Sequence, residues 1–131
     1  VLKSPYSSDI LLTGFFPHQS LPDLYAASDA CIFPAGSEGV GIPVLEAMAC
    51  GTPVACARAG ALPEMAGDCV HYFDQTNIED IAVSIEKLVI LPDKDNSGYR
   101  NELITKSLNW VKNYSWQKTA EETLDCLISI V

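Results

Sequence analysis

Basic side chains are scarce in this sequence, which sets eight lysines and arginines against seventeen acids for a formal charge of −9. Phosphate backbones are held mainly by lysine and arginine, so this balance excludes a nucleic-acid partner. Paired cysteines are missing as well: Cys31, Cys50, Cys56, Cys69 and Cys126 include no Cys-x-x-Cys and are odd in number. Most lie inside apolar runs, which implies reduced, buried thiols in a cytoplasmic protein and argues against a disulfide framework, a zinc site or redox chemistry. The two histidines, His18 and His71, have no evident serine or carboxylate partner, so no triad is implied and both read as structural residues.

A continuous apolar span is also lacking. From Gly39 to Ala57 only Glu46 is charged, yet Pro43, Gly51 and Pro53 cut this stretch into pieces shorter than the roughly 20 residues a membrane helix needs. No signal-peptide pattern opens the chain, and neither an internal repeat nor a low-complexity tract occurs. What is present is a 131-residue chain, 48% hydrophobic and 19% charged, a composition suited to one globular domain with its own core.

The chain is organised around residues 35–57, Ala-Gly-Ser-Glu-Gly-Val-Gly-Ile-Pro-Val-Leu-Glu-Ala-Met-Ala-Cys-Gly-Thr-Pro-Val-Ala-Cys-Ala. The pattern predicts a loop at a strand end, a short helix opened by Pro43 and stopped by Gly51, and a second strand. Gly39 and Gly41 put no side chain between a ligand and the backbone, and a helix N-terminus presents amides to an anion. Glu38 stands before the first glycine and Glu46 eight residues later, in the expected first turn of the helix. Ionised carboxylates accept hydrogen bonds, so the combination suggests a ligand with a phosphate and several hydroxyls, such as a nucleotide sugar.

Ser-Glu-Gly-Val-Gly-Ile-Pro-Val-Leu-Glu-Ala-Met-Ala-Cys-Gly-Thr-Pro-Val resembles the Glu-x7-Glu signature in the C-terminal, donor-binding domain of the group 1 (family 4) retaining glycosyltransferases. In the same order as that family, Leu-Thr-Gly-Phe and Leu-Pro-Asp-Leu-Tyr-Ala-Ala-Ser-Asp-Ala-Cys-Ile-Phe-Pro precede it, and Ala-Gly-Ala-Leu-Pro-Glu and Tyr-Ser-Trp-Gln-Lys-Thr-Ala follow. The resemblance covers nearly the whole chain. It implies that Glu38 contacts the donor sugar nearest the reacting carbon and that Glu46 accepts from the ribose hydroxyls. It further implies that Gly39, Val40, Gly41 and Ile42 supply amides to the sugar and diphosphate at the helix tip opened by Pro43. Val40 stands where the family usually has phenylalanine, which bears on donor preference. Glu64, in Leu62-Pro63-Glu64, is either a helix cap or a contact from the other side of the donor. Members are mostly metal-independent, so no metal and no permanently bound cofactor is expected; the nucleotide-diphosphate sugar is a substrate.

Hydrophobic patterning predicts strands at Ile10–Thr13, Ala30–Phe33, Val54–Ala57 and Cys69–Phe73, separated by short helices. This is an α/β chain, part of a doubly wound, Rossmann-like parallel sheet with helices on both faces and a helical C-terminus. Ser20 is a candidate cap for a helix containing Leu21, Leu24 and Tyr25. Asn77-Ile-Glu-Asp80 reads as a capping box ahead of a stripe of Ile78, Ile81, Ile85, Leu88 and Val89. Leu91-Pro92 should end that helix, Asp93 to Ser97 form a loop, Tyr99 to Asn113 a second helix, and Ser115 cap a third with Ala120, Leu124, Leu127 and Val131 facing inward.

Doubly wound nucleotide-binding sheets run in the order 3-2-1-4-5-6. If the resemblance holds, the four expected strands are the third to sixth, and the central two, together with an acceptor-binding domain, belong to a longer protein of which this is a part. An edge left open at Ala30–Phe33 invites rearrangement, homodimerisation or strand exchange. Between Lys3 and Lys87 only Arg58 is basic, so the charges that neutralise a diphosphate would come from outside this chain, and the chain alone should be inactive. The longer protein would transfer a hexose to a saccharide or lipid-linked acceptor in the cytoplasm, or at the inner membrane face. Two other readings remain: a non-catalytic sugar-nucleotide or partner-binding module, and a nucleotide-sugar epimerase on the same architecture. Hydride transfer is disfavoured, because the dinucleotide fingerprint needs a third glycine where Val44 stands.

Overall fold

A computed structural model describes residues 3–90 and 97–130. Its centre is a three-stranded parallel sheet, β1 (Cys31–Phe33), β2 (Val54–Ala57) and β3 (His71–Phe73), in the order β1-β2-β3. Register is set by Cys31 opposite Val54 and Phe33 opposite Cys56, then Ala55 opposite His71 and Ala57 opposite Phe73. All four residues of β2 are fully buried, as befits a strand flanked on both edges and covered on its faces.

Helices α2 (Ile42–Ala49) and α3 (Leu62–Ala66) fill the two crossovers, and α1 (Leu21–Ala27) precedes β1. α2 turns Val44, Ala47 and Met48 into the core and packs against β1, β2 and α1. Burial of a side chain the size of Met48 contributes about 1.5–3 kcal/mol, which anchors the helix that carries the central motif. Thr52 Oγ1 donates to the Tyr25 carbonyl at 2.6 Å, tying the end of the α2 segment back to α1.

The expected strand at Ile10–Thr13 is not formed: among the described residues the sheet has three strands, not four. Leu11 and Leu12 are 85% and 71% exposed, and Phe15 is 95% exposed. The strand order supplies the reason. β1, β2 and β3 are neighbours as strands 4, 5 and 6 are in the 3-2-1-4-5-6 pattern, where strand 3 does not adjoin strand 4. Nothing among the described residues reaches Ile10–Thr13 to complete a ladder. The outer edge of β1 is likewise open among the described residues, and the order β1-β2-β3 shows no rearrangement that closes it. The last strand is also shorter than expected, with Cys69 and Val70 buried ahead of it.

α4 (Ile78–Ile85) starts at Asn77, whose side chain accepts from the Glu79 and Asp80 amides at 3.0 and 3.2 Å. The reciprocal half of the expected capping box is redirected: Asp80 Oδ2 accepts from Asp74 N at 2.8 Å. The stripe also differs. Leu88, in the π-helical turn Glu86–Ile90, is buried, but Ile78 is 83% exposed and Ser84 takes a core position by donating to the Asp80 carbonyl at 2.7 Å.

The expectations for Leu91, Pro92 and Asp93 to Asn96 fall outside the described residues. α5 spans Ser97–Trp110, continues as a 3-10 turn over Val111–Asn113, and packs against α2. Three polar contacts moor it to the β3 side: His71 Nδ1 to Tyr99 Oη at 2.8 Å, Ser107 Oγ to the Cys69 carbonyl at 2.9 Å, and Trp110 Nε1 to the Met65 carbonyl at 2.8 Å. α6 (Trp116–Ile128) is capped by Ser115, which accepts from Lys118 N at 3.1 Å. Its expected inner face is not buried: Leu124 and Leu127 are more than half exposed, because no described element packs over them, and Val131 lies outside the described residues. Among the described residues no helix is long and apolar enough to cross a membrane.

Candidate functional site at the carboxyl ends of the strands

The loop from Pro34 to Gly41 leaves the carboxyl end of β1, and the loop Arg58–Ala61 leaves the carboxyl end of β2. In open α/β sheets, ligands bind outside these strand ends. Gly41 is the N-cap of α2 at φ +80, a left-handed backbone that suits glycine. Ile42 is therefore the first helical residue and Pro43 the second, one place later than expected. Glu46 is the fifth, past the first turn, so its tie to the helix dipole is weaker than the sequence implied.

Glu38 is half-buried, and its Oε1 accepts from the Gly41 amide at 3.3 Å. The acid thus closes back on the loop and occupies one of the amides assigned to a ligand. Gly39, Val40 and Ile42 are exposed, with Val40 and Ile42 at 45% and 42%, so the loop crest offers both main chain and apolar surface. Glu46 Oε2 accepts from the Tyr25 hydroxyl at 3.4 Å. It lines a groove of about 200 Å³ between α1 and α2, together with His18, Leu21, Pro22, Tyr25, Ala49 and Cys50. Glu38 is not among the residues that line this groove. The two acids therefore flank α2 from different neighbourhoods, one in the loop before it and one on its α1 side.

Burial, together with the Glu46 charge beside it, pushes the Tyr25 hydroxyl up to about 12, so it stays protonated and donates. Glu64 is exposed in the first turn of α3, whose N-cap is Ala61; it is not the cap. Arg58 is exposed and stacks over the Tyr72 ring, 4.4 Å from its centroid, a cation–π contact. His71 is engaged by Tyr99, and burial followed by the Lys87 charge lowers its pKa. Burial raises the pKa of Cys31, Cys50, Cys56 and Cys69, Cys56 to about 12; only Cys56 and Cys69 of the five are buried, Cys31 and Cys50 are half-buried and Cys126 is exposed, contrary to a wholly buried set. Among the described residues no three His, Cys, Asp or Glu side chains gather as a metal site.

Two contacts leave no mark in the sequence. Tyr25 sits in a helical stripe that looks like ordinary core, and nothing local tells that its hydroxyl meets Glu46. Gly60, between Ala59 and Ala61 after a strand, signals a tight turn but not that the turn presses on Glu38.

A parallel sheet with crossover helices and a glycine-bearing loop ahead of α2 defines an α/β domain of the doubly wound kind. Residues 2–121 match the family described as "Glycosyl transferases group 1", and the chain belongs to that family. It is similar to the O-antigen chain mannosyltransferase B of Escherichia coli, with 33% identity over 112 residues, 86% of this chain and 28% of that protein. A D-inositol 3-phosphate glycosyltransferase of Actinosynnema mirum is 33% identical over 115 residues, 84% of this chain and 26% of the relative. The chain thus spans little more than a quarter of the length of these relatives. Its fold is that of part of a sucrose-phosphate synthase from Thermosynechococcus elongatus, at TM-score 0.81 and 23% identity over 95% of this chain and 31% of that one.

Proposed function

We propose that this chain supplies part of the donor site of a retaining glycosyltransferase that moves a hexose from a nucleotide-diphosphate sugar to a saccharide or lipid-linked acceptor. One observation carries the reading: Glu38, the exposed crest residues Gly39, Val40 and Ile42, and the start of α2 lie together at the carboxyl end of β1. Family membership and the mannosyltransferase and inositol-phosphate glycosyltransferase relatives support the reaction class.

In this reading Glu38 orients the sugar hydroxyls beside the anomeric carbon, giving up its bond to the Gly41 amide as it does so. The freed amide and its neighbours Gly39, Val40 and Ile42 then face the sugar and diphosphate, while Glu46 accepts from the ribose. A helix N-terminus carries roughly half a positive charge, too little for a diphosphate leaving group. Since Arg58 is the single lysine or arginine between Lys3 and Lys87, the remaining positive charge comes from outside this chain, and so do the acceptor contacts. The setting is the cytoplasm, at the inner face of a membrane where the acceptor is lipid-linked. Glu38→Gln in the protein at full length, assayed for nucleoside diphosphate release from GDP-mannose and UDP-N-acetylglucosamine, should lower kcat by about a hundredfold or more. Turnover within a factor of two of the unaltered protein, on a donor it uses, would strip Glu38 of any part in orienting the sugar.

A further inference from the structure

The Ala59–Leu62 turn makes an unusually close approach to the Glu38 loop. A Cβ built on Gly60 would stand 2.5 Å from the Glu38 carbonyl oxygen and 2.7 Å from its amide nitrogen, main-chain atoms that cannot swing aside. Gly60 also holds φ +56. Next to it, the Ala61 amide donates to the Glu38 carbonyl at 3.0 Å. On the far side of the loop, a Cβ on Gly41 would stand 2.5 Å from Leu62 Cδ2, and Leu62 is fully buried in the core. The loop after β2 and the first residue of α3 therefore press on the loop after β1 at two points, Glu38 and Gly41, the same two residues joined by the Glu38 Oε1 bond.

We propose that Gly60 is a positioning residue for Glu38: it fixes the height of the Glu38 main chain over the sheet, and with it the point from which the carboxylate reaches a donor sugar. The inference rests on the donor-orienting role of Glu38. A site carboxylate must be held to within about half an ångström by a rigid surround, and in this loop pair the surround is backbone against backbone. Any side chain at position 60 lifts Glu38 while leaving Glu46 and the α1–α2 groove where they are. The consequence is specific: the nucleotide is still held through Glu46, and the transfer step suffers more than donor binding.

Four variants of the protein at full length separate the possibilities, with GDP-mannose and UDP-N-acetylglucosamine as donors. Gly60→Ala, and Gly60→Asn as a version that tolerates a left-handed backbone, should lower kcat at least tenfold with donor KM within threefold of the unaltered protein. Gly51→Ala is the control, since Gly51 has φ +74 but nothing within 4 Å of an added Cβ. It should leave both constants within twofold. Glu38→Gln tests the underlying role. If Glu38→Gln is inactive and both Gly60 variants, folded by their thermal melts, keep normal kcat, the positioning role is overturned and the role of Glu38 stands. If Glu38→Gln keeps full turnover, that role falls and this inference with it. Should the Gly60 variants not fold, amide hydrogen exchange of the unaltered chain decides: protection at Ala61 and Gly41 supports the grip, and exchange at free-peptide rates overturns it.

Discussion

The Tyr25 hydroxyl donates to Glu46 Oε2 across 3.4 Å, joining α1 to α2 above the sheet. At that length the bond is weak in the ligand-free chain, and the two helices depend more on apolar packing and on the 2.6 Å bond from Thr52 Oγ1 to the Tyr25 carbonyl. Tyr25→Phe keeps the ring and both of those contacts. It should cost about 0.5 kcal/mol in urea unfolding, whereas Tyr25→Ala should cost about 3 kcal/mol. Equal losses from the two variants would show that the hydroxyl, not the ring, holds α1.

If Glu46 receives the ribose, its loss should be felt in recognition of the nucleotide. Glu46→Ala in the protein at full length should raise donor KM about tenfold and bring ribonucleotide and 2′-deoxyribonucleotide inhibitors to similar affinity. An unchanged preference between those two inhibitors would remove the ribose from Glu46.

Ser107 is fully buried, and its only route to satisfaction among the described residues is the Cys69 carbonyl, 2.9 Å away. Ser107→Val leaves that carbonyl facing a methyl group and should cost about 1–3 kcal/mol, read as a fall in the urea midpoint at constant slope. A midpoint unchanged from the unaltered chain would mean that α5 is held without this bond, by the Tyr99 and Trp110 contacts and by packing.

His71 titrates below its ordinary 6.5, because burial and then Lys87 disfavour its charged form, with Asp80 opposing them. A lowered histidine pKa means that the unfolded chain binds the proton more readily than the folded one, so its contribution is full above pH 6.5 and is lost as pH falls below it. Stability should therefore decline as pH falls below 6.5, and His71→Gln should flatten that part of the curve. The exposed Asp68 and Asp74, lowered by Lys106 and by Thr76 respectively, add to the decline only toward more acidic pH. A wild-type profile no steeper than that of His71→Gln would contradict the assignment.

The open edge of β1, together with Leu11, Leu12 and Phe15, leaves the isolated chain with a pairing surface and exposed apolar side chains. Light scattering should show association that grows with protein concentration. A monomer across the range from micromolar to millimolar would show that neither the edge nor this segment recruits a second copy.

The sequence by itself determined the local signals: Gly51 and Pro53 between α2 and β2, Asn77 and Ser115 as caps, and the β2 run that the core buries whole. Each is a matter of a residue's own backbone preference or of an apolar run only a few residues long, and these are legible without a partner. The Glu38 to Glu46 pattern was legible in the same way, as a spacing around a helix start. What only the tertiary structure decided was where those signals have partners. Ile10–Thr13 and the apolar side of α6 carry sound strand and helix patterns, yet remain uncovered because a ladder or a core face needs a second element beside it. The same holds at the site, where the approach of Gly60 to Glu38 and of Tyr25 to Glu46 joins residues more than twenty positions apart, and chain distance of that order leaves no local trace to read.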